Sequence, residues 1–263
     1  MRFYRPGARV CARTGLLLVP AGGEREFRVA LTSYGAANPP LRGPAGSDVG
    51  SWSRHDTPGG RTMYTASTRG CAFDEVLAGF RRGLGERDSL TKDAAAVGLT
   101  VAEFLAAVED DWRDLGVAYP GVLPAAWRAG RLMFTVTLPA AGWWVALDAP
   151  ESLAAVRAGL GDRLALLGAP DLDLTLLYGG NREATVQIAD WVRSTTLDDD
   201  SRAHGIVYRS RHAGGDVHAY WLRAVDQGLP VTQEVVTADA GTVIEASDPD
   251  LLATAARYGL TVR

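Results

Sequence analysis

Two stretches of this 263-residue chain hold polar side chains whose spacing sets them apart from an apolar background, Met63 to Phe80 and Gly205 to Leu222. In the first, Met63, Tyr64, Thr65 and Ala66 read as a strand, and Ser67 and Thr68 carry hydroxyls able to cap a helix start. From Cys71 onward Phe73, Val76, Leu77 and Phe80 recur at spacings of three and four, which puts them on one helical face. Glu75 points away from that stripe. By periodicity alone it reads as a solvated helix residue. In the second stretch Ser210 follows the apolar run Ile206 to Tyr208 and precedes His212-Ala213-Gly214-Gly215. That glycine pair lets the backbone bend tightly or lie against a ligand. Taken alone, Ser210 is a turn hydroxyl, and it is not read as a nucleophile, because no His and Asp fall at spacings that suggest a triad. Cys71 has no nearby His and reads as a small buried residue.

In this order, Tyr64-x-Ala66-Ser67 with Ala72-x-x-Glu75-Val76, and then Gly205-Ile206-x-Tyr208-x-Ser210-Arg211, resemble the strand-plus-helix and serine signatures of the RES-domain family. The match runs from about Phe27 to about Leu222. It implies an ADP-ribosyltransferase-like fold: a mixed α/β domain whose split antiparallel sheet lines a cleft, with helices packed around it. It also implies an NAD-degrading toxin of a toxin–antitoxin pair, with NAD as substrate, no metal, and an Xre-like antitoxin protein as partner.

The same resemblance gives residues their roles. Glu75 would grip a ribose hydroxyl and answer the positive charge that builds at the anomeric carbon as the nicotinamide–ribose bond breaks. Ser210 would hold the ribose or the amide by hydrogen bond, and Tyr64 would offer a ring face to nicotinamide. Arg28, in the strand-like segment Phe27 to Leu31, would face the dinucleotide, where the planar guanidinium fork suits a pyrophosphate. The family places an Arg followed by an aromatic residue in the next loop, where this chain has Ser51-Trp52. Either Arg54 supplies that charge from a shifted position, or a second phosphate contact has been lost. The attacking acceptor stays open among water, phosphate and a protein side chain, so hydrolysis, phosphorolysis and protein ADP-ribosylation are all compatible. A non-catalytic RES-like binding module is the alternative of a different class, favoured by Ser51 and by a helical insertion.

The elements that must position these residues can be read more broadly. With 47% hydrophobic residues the chain can build a real core, and 27 basic against 31 acidic residues give a net charge of −4. No broad electrostatic reason to bind nucleic acid or an anionic membrane follows, so any partner must be met at a pocket or local patch. Two cysteines form no disulfide framework and make a reducing cytoplasm the default setting. The apolar run Gly15 to Ala21 is far shorter than the roughly 18 to 20 residues that cross a bilayer. It reads as a strand despite the arginines before it. Neither G-x-G-x-x-G after a strand nor a P-loop occurs, which disfavours a Rossmann oxidoreductase or an NTPase.

A single domain over residues 1–263 is expected, with an irregular arm over 1–26 holding one short strand and a helical insertion over about 91–131. Residues 38–60 read as a long loop of the kind that carries function, in which His55 and Asp56 are turn-formers. An amphipathic helix is expected over Thr100 to Leu115, with Glu109-Asp110-Asp111 at its solvated end. Leu132 to Leu138 and Trp143 to Leu147 read as strands that pair with each other. Helices are expected over Ser152 to Leu160, Ala184 to Val192 and Pro249 to Tyr258. Asp171 to Leu177 reads as a short strand or extended link, Asp198-Asp199-Asp200 as a solubilising loop, and Val231 to Val236 and Thr242 to Glu245 as strands finishing the sheet.

Overall fold

Side chains alternate between the two faces of a strand, and here that alternation divides the apolar residues between two cores, one on each side of a large sheet. The computed structural model describes residues 6–81, 86–104, 106–107, 121–169, 171–234 and 236–263. Its strands are Arg9–Val10 (β1), Leu17–Pro20 (β2), Arg25–Leu31 (β3), Thr62–Ala66 (β4), Val122–Leu123 (β5), Arg131–Thr137 (β6), Trp143–Ala146 (β7), Gly205–Arg209 (β8), Asp216–Trp221 (β9), Thr237–Ala238 (β10), Thr242–Val243 (β11) and Thr261–Val262 (β12). The helices are Arg69–Leu77 (α1), Glu86–Ala96 (α2), Ala125–Ala129 (α3), Pro150–Leu166 (α4), Leu174–Tyr178 (α5), Arg182–Ser194 (α6), Arg223–Asp226 (α7) and Pro249–Tyr258 (α8). The protein is a mixed α/β fold, as the sequence motifs imply.

Among the described residues, ten strands form the main sheet in the order β1-β2-β7-β8-β9-β4-β3-β6-β10, with β11 also on β6. Its pairings are antiparallel except for β7 with β8. The sheet is split at its middle. β4 pairs with β9 from Thr62 opposite Trp221 to Ala66 opposite Val217, and β3 pairs with β6 over seven positions, whereas β3 meets β4 only where Phe27 faces Ala66. Beyond that pair the strands diverge, and the backbone edge of β4 is met by a side chain: Arg28 Nη1 donates to the Tyr64 carbonyl at 3.0 Å. Two residues before Arg28 on β3, buried Glu26 accepts from Thr65 Oγ1 at 2.5 Å and lies 2.8 Å from His218 Nδ1. Polar rivets thus replace ladder hydrogen bonds across the opening.

Helix α1 packs on the core that contains Phe73, Leu77, Ile188, Val192, Ile206 and Trp221. It starts where Thr68, extended at φ −140°, accepts from Cys71 N at 3.1 Å. Helix α8 lies against it, with Arg257 Nη2 2.8 Å from both carboxylate oxygens of buried Asp74. The second core, with Leu17, Val19, Met63, Phe134, Val136, Trp144 and Tyr220, fills the other face.

Several expectations are corrected. The strands Arg131–Thr137 and Trp143–Ala146 do not pair with each other: β6 is taken along its length by β3, and β7 lies between β2 and β8. Asp171 to Leu177 is not extended, because Asp173 Oδ1 accepts from Leu176 N at 2.9 Å and caps the short helix α5. Residues 1–26 carry two strands instead of one, and Leu16, Leu17 and Leu18 are fully buried in the sheet. Asp198-Asp199-Asp200 is more than a solubilising loop. Asp198 takes Arg9 at 2.6 and 2.7 Å and Ala12 N at 2.7 Å, Asp199 accepts from Trp143 Nε1 at 2.7 Å, and Asp200 pairs with Arg13, so the loop clasps the first strands. Val231–Gln233 is a 3-10 turn, and the strands that finish the sheet are β10 and β11. Most of the helix expected over Thr100 to Leu115, with its acidic end, lies outside the described residues. Among the described residues no helix is long and apolar enough to cross a membrane.

Candidate active site

The strand β4 and helix α1 are joined by Ser67 and Thr68, and β9 runs beside β4. The turn between β8 and β9 therefore sits against the side of α1. Gly215 makes that approach possible, since a Cβ there would come within 2.8 Å of Cys71 Sγ. The consequence is a contact between residues far apart in sequence: Ser210 Oγ donates to Glu75 Oε1 at 2.5 Å. The same oxygen accepts from His212 N at 3.1 Å and Ala213 N at 2.9 Å. Ser210 is buried and fixes one oxygen of the carboxylate, while Glu75, half-buried, lines a cleft of about 410 Å³ at the split of the sheet.

Arg28, Arg54, Tyr64 and Glu75 all line this cleft, and Ser210 stands directly behind Glu75. The four residues that the motifs pointed to, and Arg54 beside them, are thus brought together from five segments. Tyr64 is held by its hydroxyl, which accepts from His55 N and donates to Asp56 Oδ1, both at 3.0 Å. Burial, and then the charge of Asp56, keeps the phenol well above its ordinary pKa. Asp56 and His55 are more than turn-formers. Asp56 is buried and also accepts from Arg42 Nε at 2.6 Å and Ser53 N at 2.8 Å, tying the long loop to the floor of the cleft. Ser51 is exposed, and it is Arg54 that turns into the cleft, its Nη2 3.3 Å from the Tyr178 carbonyl.

Sequence reasoning missed Arg182, Arg211, His212 and Tyr208, which line the same cleft. Arg211 Nη1 donates to the Tyr178 carbonyl at 2.8 Å, so two guanidinium groups converge on the end of α5. Arg211 and Tyr208 stood within the serine motif. Arg182 carried no local signal: it is the first residue of α6, set by Asn181, whose Oδ1 caps the helix at Ala184 N. The lining therefore holds four arginines and one carboxylate. Arg28 Nε, Arg54 Nε and Arg182 Nη1 are buried without a hydrogen-bond partner. Buried donors of that kind call for acceptors, and a ligand rich in anionic oxygens supplies them.

Burial lowers Arg28 to about 10, which leaves it a cation at neutral pH. Burial and then the charge of Arg211 bring His212 down to about 4, so its imidazole is neutral there. His55 is brought to about 3 by burial, then by Arg54 and Arg182. Burial pushes the Cys71 thiol up to about 12, next to Glu75, which makes it inert.

No family model matches the chain, and no curated protein matches it. Among solved structures, a chain of the M. tuberculosis MbcT–MbcA toxin–antitoxin complex is similar over 92% of this chain and 92% of its own, at 13% identity and a TM-score of 0.41.

Proposed function

We propose that this protein binds NAD in the cleft and cleaves its nicotinamide–ribose bond. The observation that carries the reading is the Glu75 carboxylate, held by Ser210 at 2.5 Å, in a cleft whose other charged lining residues are four arginines. The arginines fit the pyrophosphate, and the lone carboxylate fits the one place where positive charge develops. As the bond between ribose C1′ and the pyridinium nitrogen breaks, its electron pair goes to that nitrogen and neutral nicotinamide leaves. Glu75 stabilises the oxocarbenium-like ribose, a preorganised contact of a kind worth about 3 to 4 kcal/mol. Ser210 contributes by holding the carboxylate in place, and the neutral Tyr64 ring lies along the cleft where nicotinamide would stack. Water then attacks C1′ and loses a proton to solvent, or an unprotonated phosphate oxygen attacks C1′ directly. A toxin role, a cytoplasmic setting and an Xre-like antitoxin that covers the cleft belong to the same reading, supported by the paired sequence motifs.

The test is NAD loss and nicotinamide release by the purified chain, with and without phosphate, beside Glu75→Gln. Turnover that falls about 10²- to 10³-fold in the variant supports the enzyme, and its dependence on phosphate separates phosphorolysis from hydrolysis. Absence of turnover in both proteins under both conditions removes the self-contained NADase and leaves a protein-directed transferase or a binding module.

A further inference from the structure

A second cavity, of about 270 Å³, opens beside the cleft on the far side of Trp52, which lines both. The first two turns of α6 divide them in the same way: Arg182 lines the cleft, while Glu183, Val186 and Gln187 line the second cavity. The two differ sharply in charge. The cleft has four arginines, whereas among the described residues the one charged side chain lining the second cavity is Glu183. On its own, the second cavity falls just under the roughly 300 Å³ at which ligand sites begin. It suits part of a larger ligand.

We propose that the second cavity receives the purine nucleoside end of a dinucleotide whose pyrophosphate crosses Arg182 and Trp52. The proposal rests on the NAD reading of the cleft and extends it to the half of the ligand that does not react. A dinucleotide carries its negative charge in the middle and an uncharged aromatic base at the far end, and the lining follows that order. The four guanidinium groups stay on the cleft side. Beyond them, the Trp52 ring, Leu167 and Val186 give an apolar surface for a flat base. Gln187 brings a carboxamide that both donates and accepts, matching the mixed donor and acceptor edge of a purine. The Glu183 carboxylate accepts from hydroxyl or amine groups and repels phosphate, which keeps a ligand from binding with its charged part in this cavity.

Titration calorimetry with ADP-ribose and with ribose 5-phosphate separates the two ends, because the ligands differ by the adenylate unit. Wild type is expected to bind ADP-ribose at least about tenfold more tightly. Gln187→Trp, on α6, and Ser47→Trp, in the long loop, fill the second cavity from two different elements, and circular dichroism identifies a variant that fails to fold. Each folded variant is expected to lose about tenfold in ADP-ribose affinity while binding ribose 5-phosphate as wild type does. Unchanged ADP-ribose binding in the folded variants overturns the proposal and leaves the NAD reading standing. So does equal affinity of wild type for the two ligands. Wild type that binds neither ligand overturns both.

Discussion

Ser210 shows how much one hydroxyl can carry. Its oxygen donates to Glu75 and accepts from the His212 and Ala213 amides, so it links the carboxylate to the backbone of the turn. Ser210→Ala leaves two backbone N–H groups without that acceptor, at a cost of roughly 1 to 3 kcal/mol in urea-unfolding free energy. It also frees the Glu75 carboxylate to rotate. Nicotinamide release should drop about 10- to 100-fold in kcat with KM little changed, and an unaltered kcat would show that Glu75 needs no such support. At this scale the sequence was informative wherever a motif fixed both residue type and spacing: Glu75, Ser210, Tyr64 and Arg28 line or back the cleft, and Arg54, which stands three residues past the position where the motif has its arginine, lines it too. Arg182 was not legible, because its place in the cleft depends on where α6 begins in space and not on the residues beside it.

The elements divide along a similar line. β3, β4, α1, β8, β9 and α6 follow from local pattern, since each is announced by alternation, helical spacing or a cap. Which strands become neighbours is not local, and so β6 and β7, close in sequence, lie apart in the sheet. In α5 the alternation of Asp and Leu suggested an extended chain, but the cap made by Asp173 prevails. The cap on α6 has a functional consequence. Asn181 Oδ1 accepts from Ala184 N at 3.0 Å, and its Nδ2 donates to the Leu167 carbonyl at 3.1 Å, which ties the start of α6 to the end of α4. Asn181→Ala should cost about 1 kcal/mol in stability. Because the turn it caps carries Arg182, the variant should also weaken ADP-ribose binding by roughly three- to tenfold. Urea unfolding and calorimetry on the same preparation check both, and a stability loss with unchanged affinity would mean that Arg182 is placed by other contacts.

For the molecule as a whole, net charge conceals the site: a chain of net charge −4 folds so that four arginines line one cleft. Long-range sign told only that the partner had to be met locally, and where the cations gather is a product of the fold. Holding them there has a pH dependence of definite sign. His55 is buried, edge-on to Tyr208 at 4.6 Å between ring centroids, and its carbonyl accepts from Trp221 Nε1 at 3.1 Å. Its pKa is lowered from 6.5 to about 3 by burial and then by Arg54 and Arg182. As pH falls below 6.5 the unfolded chain takes up a proton that the folded protein refuses until about 3. Stability is therefore complete above 6.5 and is lost progressively on acidification. His55→Phe keeps a ring against Tyr208 and removes the titration. Between pH 7 and pH 4.5, wild type should lose about 2 to 3 kcal/mol more unfolding free energy than the variant, measured by urea denaturation at the two values. Parallel losses would mean that His55 is protonated in the folded state, with the buried loop open to water. A steeper loss in wild type would tie acid sensitivity to the same segment that brings Trp52 and Arg54 to the cleft.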